Sequence, residues 1–184
     1  MSHYSIEDFI LDITQNSLEA KASEVRVELV ESPRRMGVRI SDDGKGMDEA
    51  LQARVLDPFF SEAGKHPGRK VGLGLPFLKQ AVDLNRGTFS LESIPGRGTV
   101  VSFAFDTAQI DCPPMGAMWG IVFSLLCLPG AREMVIQRRL ENEAGEILRE
   151  YEVRRTELEQ AIGSLEDVSS LALLKDFLRS QEEA

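Results

Sequence analysis

Residues 36–47 read Met36-Gly37-Val38-Arg39-Ile40-Ser41-Asp42-Asp43-Gly44-Lys45-Gly46-Met47. The first half alternates, with Met36, Val38 and Ile40 on one side, as a half-buried strand does. The second half is an acidic pair followed by two glycines, so the strand ends in a carboxylate and a tight loop. Upstream, Val25, Val27 and Leu29 alternate across 24–30, and Ser32-Pro33-Arg34-Arg35 makes a turn. The two segments predict a hairpin.

Working outward, residues 5–20 have the period of an amphipathic helix. Phe9, Ile10 and Ile13 form its apolar face, and Asp8, Asp12, Gln15, Asn16 and Glu19 its polar one. Ser5-x-x-Asp8 is the acidic form of a capping box. Downstream, a short helix is expected at 48–54, and the polar stretch 57–72 shows no period. Pro76 opens a helix over 77–85 with Gly87 just past its end. Strands follow at 88–93 and 99–105 around Pro95-Gly96-Arg97-Gly98.

The character of the chain changes near 107. Asp111-Cys112-Pro113-Pro114 reads as a linker, and Met115–Leu128 as an apolar helix. A break at Pro129-Gly130 leads to a hairpin of 133–140 with 146–153. The tail, 155–182, is charged and helix-prone. Ser164-x-x-Asp167 is placed to cap its last helix, whose apolar side holds Val168, Leu171, Leu174 and Leu178. The reading gives two units, 1–106 and a C-terminal extension of 107–184.

The 184 residues are 42% hydrophobic, enough for a real core. Formal net charge is −9, and residues 141–184 hold 12 Asp/Glu against 5 Lys/Arg. Nucleic acid and anionic membrane are therefore poor partners. The apolar run at 115–128 falls short of the roughly 20 residues a membrane span needs. No secretory signal is visible in MSHYSIEDF, so a cytoplasmic protein is expected. Cys112 and Cys127 have no metal-ligand spacing and read as buried or loop thiols.

Three short patterns carry chemistry. Asp12 and Asn16 lie one helical turn apart on one face. The Asn16 amide oxygen suits Mg²⁺ held mainly by phosphates and water, and a carboxylate at Asp12 suits orienting or deprotonating a nucleophile. Asp42, at a strand end, can accept from an amino group such as that of adenine, while Gly44 and Gly46 let backbone approach a planar ring. Gly72-Leu73-Gly74-Leu75 precedes a helix whose free N–H groups suit phosphate, after a loop carrying Lys65, His66, Arg69 and Lys70. Each pattern alone also fits a plain structure: a solvated helix face, an Asp-Gly turn, a helix-initiating turn.

In this order, together with Gly96-Arg97-Gly98-Thr99, the motifs over 5–105 resemble the GHKL superfamily of gyrase, heat-shock chaperone, histidine kinase and mismatch-repair ATPases. Asp57-Pro58-Phe59-Phe60-Ser61 resembles the phenylalanine-containing box of histidine kinases, and Asn16-Ser17-Leu18-Glu19-Ala20 the repair and gyrase members. The resemblance implies an α+β two-layer α/β sandwich of the Bergerat type with a mixed sheet. It implies ATP and Mg²⁺ as cofactors. Asn16 would ligand the metal, and Asp42 would bond the adenine amino group. Gly44, Gly46 and Met47 would line the base. Gly72, Gly74 and Leu75, with Leu73 between them, would wrap the phosphates under a lid of 57–75, to which the loop's own Lys65, Arg69 and Lys70 add donors; residues 61–71, with few apolar anchors, are expected to move without nucleotide. Thr99 would sit near the adenine, beside Asp42. Separately, Asp111–Gly116 and the helix after it resemble ATP-binding proteins encoded beside iron-only hydrogenases.

Asp12 departs from the family, whose hydrolytic members have Glu there. Asp reaches about 1.5 Å less, and a misplacement of about 1 Å can cost on the order of a hundredfold in rate. Binding is thus better supported than turnover. The strand that usually precedes this helix in the family is missing, and no histidine-phosphorylation module is visible, so ordinary sensor-kinase autophosphorylation is not expected. The reading is an ATP- and Mg-binding regulator with a protein partner, either a kinase or slow ATPase or a binder only, and open to homodimerisation. Met118, Trp119 and Phe123 would suit a partner surface, against the plainer reading of a core helix. The rival is a nucleotide-binding-deficient scaffold acting through residues 107–184.

Overall fold

The expected hairpin is the middle of the sheet. In the computed structural model, which describes residues 4–57 and 74–183, β1 (Glu24–Ser32) runs antiparallel to β2 (Arg35–Asp42). Val27 pairs with Ile40 and Leu29 with Val38, so the alternating side chains seen in the sequence meet on one face. β4 (Gly98–Asp106) continues the sheet antiparallel to β2, and β3 (Thr88–Ile94) closes that edge. On the other side β5 (Glu133–Glu141) lies parallel to β1, with β6 (Ile147–Arg154) antiparallel at the far edge. The order is β3-β4-β2-β1-β5-β6, one mixed sheet of six strands.

Helices cover one face. α1 (Ile6–Glu19) starts at the expected capping box: Ser5 Oγ accepts from Asp8 N and the Asp8 carboxylate accepts from Ser5 N. Its Ile6, Phe9, Ile10 and Ile13 are buried against Val27, Leu29, Val38, Ile40, Phe103 and Phe105 in one core. α2 (Glu49–Arg54) is short and capped by Asp48. α3 (Gly74–Leu84) inserts Leu78 and Val82, and α4 (Met118–Leu126) inserts Ile121, Val122, Leu125 and Leu126. α5 (Arg155–Ile162) leads to α6 (Val168–Glu183), which adds Leu174 and Leu178. The opposite face carries ion pairs such as Arg26–Glu152 and Arg139–Glu150, so it faces water. The fold is the expected α+β two-layer sandwich, and residues 107–184 extend the same sheet and the same core.

Some details differ from the sequence reading. α3 begins at Gly74, ahead of the expected start at Phe77. Arg86, not Gly87, takes the left-handed turn after it (φ 57°). Gly87 is needed for another reason, because a Cβ there would fall 2.0 Å from the Ala104 carbonyl oxygen of β4. The apolar helix is Met118–Leu126, shorter than 115–128. Met118 is buried and so belongs to the core rather than to a partner surface. Trp119 packs partly against that core and lies under the Arg179 and Lys175 side chains. Of Val168, Leu171, Leu174 and Leu178, Val168 stays 84% exposed. The Ser164 hydroxyl accepts from Glu166 N.

Candidate functional site

Asp42 ends β2 at the edge of the buried face, directly across from Thr99 on β4. Two groups hold its carboxylate. Ser17, buried on α1, donates to Asp42 Oδ2 at 2.7 Å, and Gly44 N donates to Oδ1 at 2.9 Å. Each oxygen keeps a lone pair for another donor. Ser93 on β3 lies across from Thr99, and their hydroxyls are 2.9 Å apart. One end of the sheet thus presents a carboxylate and two hydroxyls in a row, backed by α1.

The loop after Asp42 is tied down on both sides. Asp43 Oδ1 accepts from Ser23 N (2.6 Å) and Glu24 N (3.0 Å). Lys45 N donates to Ala20 O, and Gly96 N to Lys45 O. Met47 N donates to Ser93 Oγ at 2.8 Å. Gly46 has φ 63°, and a Cβ there would fall 2.0 Å from the Ile94 carbonyl oxygen. Glycine at 46 is thus required by the protein's own β3 contact, whatever else approaches it.

Asp12 and Asn16 are exposed on α1, one turn apart, with Ser17 next to Asn16 reaching Asp42. Asp12 faces the start of α3, since a Cβ on Gly74 would lie 1.7 Å from Asp12 Oδ2. Leu75 follows, half-buried against the core. The structure therefore brings Asp12, Asn16, Asp42, Gly44, Gly46, Met47, Gly74, Leu75 and Thr99 to the same end of the molecule. Lys65, Arg69, Lys70, Gly72 and Leu73, and with them most of the expected lid and the Phe59-Phe60 box, lie outside the described residues.

Sequence reasoning assigned no role to Ser17, Ser93 or Asp43. Ser17 did leave a signal: it continues the Ile6, Phe9, Ile10, Ile13 stripe at the next helical position, a hydroxyl where an apolar residue is expected. Ser93 left a similar one, following Phe89 and Leu91 at alternate, inward positions of β3.

This arrangement fits a purine nucleotide. A carboxylate with spare acceptor capacity stands at the sheet end, and hydroxyls flank it. The exposed Asn16 amide suits a magnesium ion held mostly by phosphate and water. Among the described residues no cluster of three or more His, Cys, Asp or Glu side chains could cage a metal alone.

The sequence pattern described as Histidine kinase-, DNA gyrase B-, and HSP90-like ATPase matches residues 4–109. The chain belongs to this ATPase family, and its matched part is an ATP-binding domain of that class. Among curated proteins it is similar to the cell-division control histidine kinase PdhS of Brucella canis, 31% identical over 120 residues, covering 58% of this chain and 12% of that one. The PdhS of Brucella anthropi is 32% identical over 119 residues, covering 58% and 11%. The chain thus matches about an eighth of the length of these relatives. The solved catalytic domain of the histidine kinase ThkA is 22% identical, covers 53% of this chain and 64% of that one, and superposes with a TM-score of 0.42. No described helix is long and apolar enough to cross a membrane.

Proposed function

We propose that this protein is a regulator that binds Mg-ATP at the Asp42 end of its sheet and acts on a partner protein. The observation that carries it is the Asp42 carboxylate, held by Ser17 and Gly44 N across from Thr99. Asp42 accepts from the adenine amino group, and Thr99 and Ser93 supply hydroxyls beside it. Asn16 ligands the magnesium ion, which would offset phosphate charge when bound. Lys65, Arg69, Lys70 and the Gly72–Leu75 glycine motif hold the phosphates. Transfer of phosphate to a partner, or slow hydrolysis, would use Asp12 to orient or deprotonate the nucleophile. The contact of Asp12 with the α3 start gives it a second duty, keeping α1 and α3 in register.

The test is isothermal titration of Mg-ATP into the wild type and Asp42→Asn. Saturable binding that the substitution weakens at least about tenfold, as expected for losing a charge-assisted hydrogen bond, supports the reading. No binding by the wild type sinks it and favours a scaffold acting through residues 107–184. Radiolabelled ATP turnover by the wild type and Asp12→Ala then separates chemistry from binding: equal rates remove Asp12 from the reaction.

A further inference from the structure

A cavity lies at the far end of the sheet from Asp42. Its volume is about 610 Å³, and it opens between the β1–β2 turn, the passage from β4 to α4, and the β5–β6 turn. Ile6, Met115 and Leu148 give it apolar walls, and Glu31, Glu141 and Glu143 its charges. No lysine or arginine is among the described residues lining it. Arg138 pairs with Glu31 at 2.5 Å and Arg139 lies 3.9 Å from Glu141, and neither arginine lines the cavity. Glu143 has no such partner among the described residues.

The surroundings point to a peptide rather than a small molecule. Leu148 is 63% exposed and its neighbour Ile147 51%, while Ile110, on the passage that forms another wall, is 98% exposed. A ligand confined to the cavity would meet Leu148 but leave Ile147 and Ile110 in water, whereas a segment crossing it would cover more of this apolar surface. The strand bearing two of them, β6, has no partner on its outer edge among the described residues. The acidic balance of residues 141–184 sets the sign of the partner.

We propose that this cavity docks a short segment of a partner protein in which apolar residues alternate with Lys or Arg. An apolar side chain enters against Ile6, Met115 and Leu148, and a cationic one meets Glu143 and Glu141. This goes beyond the nucleotide site and does not depend on it: Ile6 begins α1 at this end, and Asn16 lies near its other end.

The experiment uses the full chain and a panel of short fluorescein-labelled peptides alternating Leu with Arg, Leu with Lys, and Leu with Glu, read by anisotropy. The basic peptides are expected to bind and the acidic one not. Leu148→Asp should weaken binding about tenfold, the order expected for losing one apolar anchor, and Glu143→Lys should weaken it too. Both positions are exposed, so thermal melting and Mg-ATP titration should be unchanged. Leu148→Asp makes the protein more acidic, so a merely electrostatic attraction would strengthen. Bound peptide should also slow iodoacetamide labelling of Cys112, on the cavity wall, and not of Cys127. The proposal is overturned if no basic peptide binds, if acidic and basic peptides bind alike, if Leu148→Asp binds as well as or better than the wild type, or if Cys112 labels at the same rate with peptide present.

Discussion

Ser17 shows how much one hydroxyl decides at this site. It is 5% exposed and occupies the apolar side of α1, where its hydrogen bond to Asp42 Oδ2 offsets burial of a polar group. Ser17→Ala leaves that oxygen facing a methyl group, and the carboxylate held by Gly44 N alone. ATP affinity should fall about tenfold, equivalent to about 1.4 kcal/mol and in the range of a hydrogen bond to a charged group. Isothermal titration measures it, and an unchanged affinity would remove Ser17 from nucleotide recognition. Asp42, Gly44 and Gly46 stand out as candidates in the sequence because the motif is contiguous and its residue types are chemically marked. Ser17 does not, because a small polar residue within a helix is ordinary until its distant acceptor is known.

Elements were legible wherever their signals are local. The Ser5/Asp8 capping box and the alternation of the β1–β2 hairpin can be read within a few residues, and they form as expected. α3 ends within a residue of the expected position, with Gly87 just past it, and only its start differs. Arg86 makes the left-handed turn, and β4 imposes glycine at 87 by close approach. The end of α4 has consequences that can be measured. Arg155 Nη1 donates to Leu126 O (3.1 Å) and Leu128 O (2.9 Å), holding the helix terminus where Cys127 sits half-buried. Burial pushes the Cys127 thiol above its ordinary range, partly opposed by the charge of Arg155. Its thiolate is therefore scarcer in the folded chain than in the unfolded one. The linked stability is full below the ordinary thiol pKa and is lost as pH rises through the raised folded value. Labelling of Cys127 by iodoacetamide near pH 8 should be slower folded than in urea, and the melting temperature should fall as pH rises above about 9. Replacing Cys127 by Ala should remove part of that alkaline loss; an identical pH profile would show the thiol plays no part.

At the scale of the whole molecule, what the sequence withheld was how 107–184 joins the rest. A parallel pairing of β5 with β1 links residues about a hundred positions apart, and no local period announces it. Arg138 was hidden for the same reason. A charged residue on a strand reads as solvent-facing, yet it is 1% exposed beneath the end of α6, where it meets Glu31 and Glu182, and Tyr151 donates to Glu182 at 2.8 Å. The family pattern stops at 109, but the physical unit does not. Ending the chain there would turn β1 from an interior strand into an edge, strip Met134 and Ile136 from its flank, and remove the five buried residues of α4 from the core over α1. Each large side chain so uncovered costs about 1.5–3 kcal/mol, and the stability of a whole domain is only about 5–15 kcal/mol. Residues 1–109 alone should therefore fail to fold cooperatively, with no sharp thermal transition and strong binding of a hydrophobic dye, whereas the full chain melts in one step. A truncated chain that melted cooperatively and bound Mg-ATP as the full protein does would show that the ATP-binding part stands alone and that 107–184 is a separable appendage.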